Sequence, residues 1–163
     1  MSLVIRAPKA DDLAAVMRIE RAGFTEDEAA TPESMAERIA TIPDTFFVAE
    51  LDGAVAGFIV GPAISARYLT DDLFDHLTPN VAADKCVSVL SIAVDPDVRA
   101  QGVGTALLNA FADRAREQHR ELISLTCLDR LVPYYAKHGY VNEGVADSQH
   151  AGEVWYNMVL SLA

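Results

Sequence analysis

The segment from Val87 to Leu108 limits the fold more than any other part of the chain. It opens with a nearly unbroken apolar run, Val87 to Val94, and stops at Asp95-Pro96. It then passes through Arg99-Ala100-Gln101-Gly102-Val103-Gly104-Thr105 and continues as an amphipathic stretch. The apolar run predicts a strand buried on both faces. Leu107, Leu108, Phe111 and Ala115 recur at helical spacing and predict a helix over Gly102–Gln118. A strand that turns tightly into a helix makes an anion site. The first N–H groups of the helix lack internal partners and point outward, with the positive end of the dipole behind them. Glycines let an anion approach the backbone, and Arg99 adds a positive charge at the mouth. Two phosphate motifs are excluded. No Lys-Ser/Thr follows the glycines, as a P-loop requires, and Leu107 stands where a dinucleotide fingerprint needs its third glycine. Taken alone, the pattern also fits a plain helix-start loop.

The flanking segments predict the rest of the layout. Leu3 to Arg6 is a short β-rich run. Leu13, Val16, Met17, Ile19 and Phe24 predict a first helix. Thr31-Pro32-Glu33 caps a second, with Met35, Ile39 and Ile42 inward. Thr45–Leu51 and Ala54–Val60 flank Asp52-Gly53, a strong hairpin signal. Residues 64–84 are irregular and acidic and read as an insertion or lid-like segment, with Thr70-Asp71-Asp72 capping a short helix through Leu77. Leu122–Cys127 predicts a strand, and Asp129 caps a short helix ending at His138-Gly139. Tyr140–Val145 and Glu153–Leu160 are final strands around a turn at Ser148–Gly152. The order βααββ(β)αβαββ predicts an α/β (α+β) domain with a mixed sheet, one domain spanning residues 1–163. Phe46, Phe47, Phe58 and Phe111 are expected in its core.

Composition narrows the function classes. With 51% hydrophobic and 23% charged residues, the chain is not globally disordered. Lys and Arg number 13 against 24 Asp and Glu, a formal charge of −11. Such a surface repels nucleic-acid phosphates and anionic lipid and attracts cations. No apolar run approaches the length of a membrane span, and the N-terminus lacks a signal-peptide h-region. The two cysteines, Cys86 and Cys127, and the four histidines (His76, His119, His138, His150) show no metal-ligand spacing, so no metal is expected. Cys127 reads as a core thiol rather than an acyl carrier. A reduced, cytoplasmic setting fits this cysteine usage.

Arg99-x-x-Gly102-x-Gly104 after an apolar strand resembles the pyrophosphate loop of the GCN5-related N-acetyltransferase (GNAT) superfamily, and the likeness extends over almost the whole chain. Ile19-Glu20-Arg21-Ala22-Gly23-Phe24, the Leu69-Thr70 region, Ser91-Ile92-Ala93-Val94 and Cys127 to Tyr135 are further similar to arylalkylamine (serotonin-type) N-acetyltransferases. The resemblance implies a splayed, mostly antiparallel sheet flanked by helices, with acetyl-CoA as cofactor. Ile92, Ala93 and Val94 would pair with its pantetheine. The amides from Ala100 through Gln101, Gly102, Val103 and Gly104 to Thr105 would hold its pyrophosphate, beside Arg99. The acceptor would be a small-molecule amine, with Phe24 and Tyr68 as walls of its site. Dimers are common in the superfamily, so a homodimer is consistent with it.

Acetylating an amine requires two proton movements. A primary ammonium with a pKa near 10.4 costs roughly 4–5 kcal/mol to neutralise at pH 7. The departing thiolate, of pKa near 8.5, then needs a proton. The resemblance gives the second role to Tyr135, a phenol that is neutral and able to donate. The histidine pair of the serotonin-type enzymes is absent: Ser88 and Leu90 stand there. Glu20 is the candidate base, with Glu26 and Glu28 as neighbours, and Ser88 or Ser91 could hold a relaying water. Direct N-acetylation of a small, arylalkylamine-like amine is the expected reaction. Acetylation of protein N-termini, of a polyamine or of an aminoglycoside is an alternative, as is a non-enzymatic acyl-CoA-binding module.

Overall fold

The computed structural model describes residues 2–148 and 150–162. The strands are β1 (Leu3–Arg6), β2 (Phe46–Leu51), β3 (Ala54–Val60), β4 (Ala63–Ile64), β5 (Cys86–Val89), β6 (Ser91–Val94), β7 (Leu122–Cys127), β8 (Val141–Val145) and β9 (Tyr156–Ser161). The helices are α1 (Leu13–Gly23), α2 (Pro32–Thr41), α3 (Val103–Glu117) and α4 (Val132–Lys137). Local signals act as expected at several boundaries. Thr31 Oγ1 accepts from the Ser34 N–H at 3.1 Å and starts α2 behind Pro32. Asp52 and Gly53 both take positive φ, 53° and 86°, and close the β2–β3 hairpin.

The strands form two sheets, β1-β2-β3-β6 and β4-β5-β7-β9-β8. All pairs are antiparallel except β5 with β7. The mixed α/β character expected from the sequence is therefore present. The single strand expected over 87–94 is corrected: it divides at Leu90. Residues 86–89 pair with β4 and β7, and residues 91–94 pair with β3. The crossing is fixed opposite Gly61-Pro62. Ser88 N–H donates to the Pro62 carbonyl and Leu90 N–H to the Val60 carbonyl, both at 2.8 Å. A Cβ on Gly61 would lie 1.7 Å from the Ser88 carbonyl oxygen, so only glycine fits there.

The four-stranded sheet is covered on both faces. Leu107, Phe111 and Ala115 of α3 pack over Phe47, Ala49 and Ile59. Val16, Ile19 and Met35 of α1 and α2 pack over Phe46, Val48 and Phe58. Residues 64–84 are irregular but fastened, which corrects the lid-like reading. Arg120, itself buried, donates to the carbonyls of Val81 and Asp84 at 2.7 Å, and Asn80 ties Ala63 to Thr45. The helical turn there stops at Phe74, short of Leu77. Asp129 makes no cap hydrogen bond: it sits in a 3-10 turn ahead of α4. The last strand starts at Tyr156 rather than Glu153. The turn expected over 148–152 includes Gln149, which lies outside the described residues.

Candidate active site

Where the two sheets part, β6 is an edge strand with β3 on one side and open space on the other. A groove of about 550 Å³ runs along that edge. One wall is Ile92, Ala93 and Val94, followed by Arg99, Ala100 and the first turn of α3 from Gly102 to Thr105. The opposite wall is Leu131, Tyr134, Tyr135 and Lys137. Ala100 and Gly102 take φ of 65° and 84°. This alternation of left-handed residues turns successive N–H groups to one side and makes an anion nest. Gly102, the N-cap of α3, has no side chain to satisfy the first-turn N–H groups, so they remain available to a ligand. Arg99 and Lys137 add positive charge. Gln101 carries an exposed side chain and does not line the groove.

One contact here was not anticipated from sequence. Thr105 Oγ1 and His138 Nε2 lie 3.0 Å apart, and His138 Nδ1 is 2.8 Å from the Tyr134 carbonyl. A carbonyl can only accept, so Nδ1 carries a proton and donates to Tyr134. His138 thereby fastens the end of α4 to the first turn of α3. Its place just before Gly139 signals a helix end and nothing more.

A second, smaller cavity of about 110 Å³ opens deeper, between α1 and α2 on one side and β7 and α4 on the other. Gly23, Phe24, Ile92, Leu131 and Tyr135 line both spaces, so they mark where groove and cavity meet. Tyr135 is 6% exposed. Its ring stands edge-on to Tyr134 and Tyr140, with centroids 5.2 and 5.8 Å away. Burial pushes its phenol well above the ordinary value, so it stays protonated at neutral pH.

Glu20, on the last turns of α1, lines the deeper cavity and is 2% exposed. Ser91 Oγ donates to its Oε1, and the Ala30 N–H donates to its Oε2 at 2.8 Å. Arg38 of α2 faces the same cavity. Glu28 borders it while accepting from the Thr25 N–H at 2.9 Å; Glu26 does not line it.

Two expected residues are elsewhere. Ser88 is fully buried, and its Oγ donates to the Pro62 carbonyl at 2.9 Å. It lines neither space, and Ser91 is the hydroxyl that reaches Glu20. Tyr68 donates from Oη to Glu143 Oε1 at 2.7 Å, beside the Arg67–Glu143 ion pair on β8, and also lines neither space. Cys127 borders the cavity, but burial pushes its thiol up to about 11, which leaves it a poor nucleophile at neutral pH. Among the described residues no group of three His, Cys, Asp or Glu side chains could hold a metal, and no helix is long and apolar enough to cross a membrane.

Residues 13–140 match the Acetyltransferase (GNAT) family. A curated relative, the L-2,4-diaminobutyric acid acetyltransferase of Nocardia farcinica, is 33% identical over 113 residues, covering 68% of this chain and 49% of that protein. The chain spans half or less of the length of the curated relatives it matches. Among solved structures, Ard1 of Thermoplasma volcanium is 25% identical with a TM-score of 0.80, covering 100% of this chain and 99% of that one. The Salmonella typhimurium protein yncA, solved with its cofactor acetyl-CoA, shares the fold at a TM-score of 0.71 and 17% identity, covering 100% and 95% of the two chains.

Proposed function

The chain belongs to the acetyltransferase (GNAT) family, and on that premise we propose that it carries an acetyl group from acetyl-CoA directly to the primary amine of a small molecule. One observation carries this reading: a groove shaped for an extended anionic cofactor and a separate small cavity meet at a buried, protonated tyrosine. The residues fit the cofactor. The free edge of β6 offers main-chain groups to its amides. The nest at Ala100–Gly102, the unsatisfied start of α3 and Arg99 offer what a pyrophosphate needs. When bound, acetyl-CoA supplies an activated thioester and a thiol leaving group.

The protein supplies placement and proton handling. Tyr135 sits where the two spaces join and donates a hydrogen bond that stabilises the departing thiolate. Glu20, held by Ser91 and Ala30, holds the incoming ammonium and, with water at Ser91, relays its proton outward. An amine of pKa about 10.4 must lose its proton before it attacks, and a relay to solvent gives that proton an exit.

Within small amines, an arylalkylamine fits the aromatic walls given by Phe24, Phe74 and Trp155. The relative from N. farcinica, named for a diamino acid, favours a second acceptor class of similar size. Thiol release from acetyl-CoA at pH 8 across tryptamine, phenethylamine, spermidine, an aminoglycoside, lysine, 2,4-diaminobutyrate and an Ala-start peptide tests the reading. Turnover with a small amine supports it. Turnover with the peptide or aminoglycoside alone refutes the small-acceptor part. Cofactor binding with no turnover on any amine makes the protein an acyl-CoA-binding module.

A further inference from the structure

We infer that the acceptor is a small amine that also carries a carboxylate, an amino-acid-type molecule, and that Arg38 receives that carboxylate. The inference rests on the acetyltransferase reading and names the acceptor class of the same site. Arg38 is 1% exposed. Its Nε and Nη1 have no hydrogen-bond partner, and it forms no ion pair among the described residues. Its two acidic neighbours, Glu20 and Glu37, act on it only at longer range, and both are committed elsewhere. Glu20 takes the Ser91 hydroxyl and the Ala30 N–H. Glu37 takes the Leu77 N–H at 3.0 Å and lies 4.0 Å from His76 Nδ1.

A guanidinium cannot shed its proton to escape burial. A buried cation with open donors is a costly arrangement that an anion would complete. Arg38 lines the deeper cavity together with Glu20. The cavity therefore presents one buried cation with vacant donors and one buried carboxylate. A zwitterion matches that pair: its carboxylate pairs with the Arg38 guanidinium and its ammonium lies by Glu20, toward the junction at Tyr135. A plain alkylamine would satisfy Glu20 and leave Arg38 unpaired. Arg130 also borders the cavity, but it is exposed and answers to Glu28 and Glu153. At about 110 Å³, the cavity is on the scale of one that admits a benzene-sized molecule. It suits an amino acid and excludes the body of a peptide or an aminoglycoside.

The test uses acceptor pairs that differ only by the carboxylate: tryptophan and tryptamine, phenylalanine and phenethylamine, 2,4-diaminobutyrate and 1,3-diaminopropane. Each is measured for turnover with saturating acetyl-CoA and, by calorimetry, for binding to the CoA-loaded protein. In at least one pair the carboxylated member is expected to be preferred by roughly 10- to 100-fold, the range for a hydrogen bond to a charged group. Arg38→Met and Arg38→Gln should erase that preference by raising KM for the carboxylated member far more than for its partner, with CoA affinity unchanged. A role for Arg38 in structure alone would move both members of the pair equally. Equal or better use of the uncarboxylated amines by the wild-type protein overturns the inference and leaves the acetyltransferase reading intact. If no amine turns over, that reading fails instead, and calorimetry still decides. Carboxylate binding that Arg38→Met abolishes upholds the inference, and no carboxylate binding overturns it. The wild-type comparison decides even if both variants fail to fold.

Discussion

Replacing Tyr135 by Phe isolates the hydrogen bond offered to the leaving group. The ring sits edge-on between Tyr134 and Tyr140, and Phe keeps those contacts. Tyr135 lines both groove and cavity, so the change alters the chemistry at their junction without opening a hole in the core. A hydrogen bond to a charged group contributes about 1.5–3 kcal/mol, which is roughly 10- to 150-fold in rate. The thiolate is itself a fair leaving group, with a pKa near 8.5, so the loss should sit at the low end of the 10²–10⁴ range usual for general acids. We expect kcat to fall about 100-fold in a single-turnover assay of thiol release. CoA affinity by calorimetry and the melting temperature should barely change. The sign with pH also follows. Burial raises the Tyr135 phenol above its ordinary value, so it remains a donor throughout pH 6–9. The wild-type kcat should therefore show no alkaline loss there, and kcat/KM should rise as the free amine accumulates. A loss under threefold with chemistry shown to be rate-limiting would remove Tyr135 from the mechanism. So would an alkaline limb in kcat near pH 8 that Tyr135→Phe abolishes, because it would mean the phenol titrates where this structure holds it protonated.

Four further outcomes follow from other contacts. Tyr140 Oη is buried without a partner, so Tyr140→Phe should stabilise by about 1 kcal/mol, seen as a melting temperature some 2–4 °C higher with activity unchanged; a lower melting temperature would show that the hydroxyl is satisfied. Gly61→Ala forces a Cβ onto the Ser88 carbonyl and should abolish cooperative unfolding in circular dichroism, while a normal transition would disprove the tight crossing. Gly102→Val meets no steric contact but must hold φ near 84°, a strain of about 1–2 kcal/mol, whereas a Cβ on Gly104 comes 2.6 Å from Tyr134 Oη. Both glycine variants should weaken CoA at least roughly 10-fold by calorimetry, and unchanged affinity would make the loop purely structural. Hydrogen bonds from Arg6 hold the Asp12 carboxyl below its usual range. Its contribution is then present above about pH 3.9 and lost as pH falls through the lower folded value. The urea midpoint of Asp12→Asn should lie below wild type at pH 6 and converge with it toward pH 3; a constant gap would contradict the linkage.

What the sequence disclosed and what it hid divide along the reach of the interactions. The anion cradle was legible because its causes are local: two glycines, a strand end and a helix start adjoin within one segment. Ile92, Ala93, Val94, Arg99, Ala100 and Gly102 to Thr105 line one groove, and Gln101 does not. The break at Leu90 was hidden because apolar residues suit either sheet equally. It is imposed by Gly61, about thirty residues earlier in the chain. The misplacement of Ser88 follows from the same cause. Residues 88 and 91 are an odd number apart and so point to opposite faces even of an unbroken strand; which hydroxyl faces Glu20 depends on where α1 packs.

Arg38 is the more instructive omission. Met35, Arg38 and Ile42 follow the i, i+3, i+7 spacing of one helical face, and all three are buried. Periodicity alone would have put the arginine inside with the two apolar residues. Its charge argued for solvent, because charged side chains are almost never fully buried unless paired. The rule fails here where a partner from outside the chain could complete the pair. A charged residue on the apolar face of an amphipathic helix becomes readable as buried once periodicity is allowed to outrank residue type.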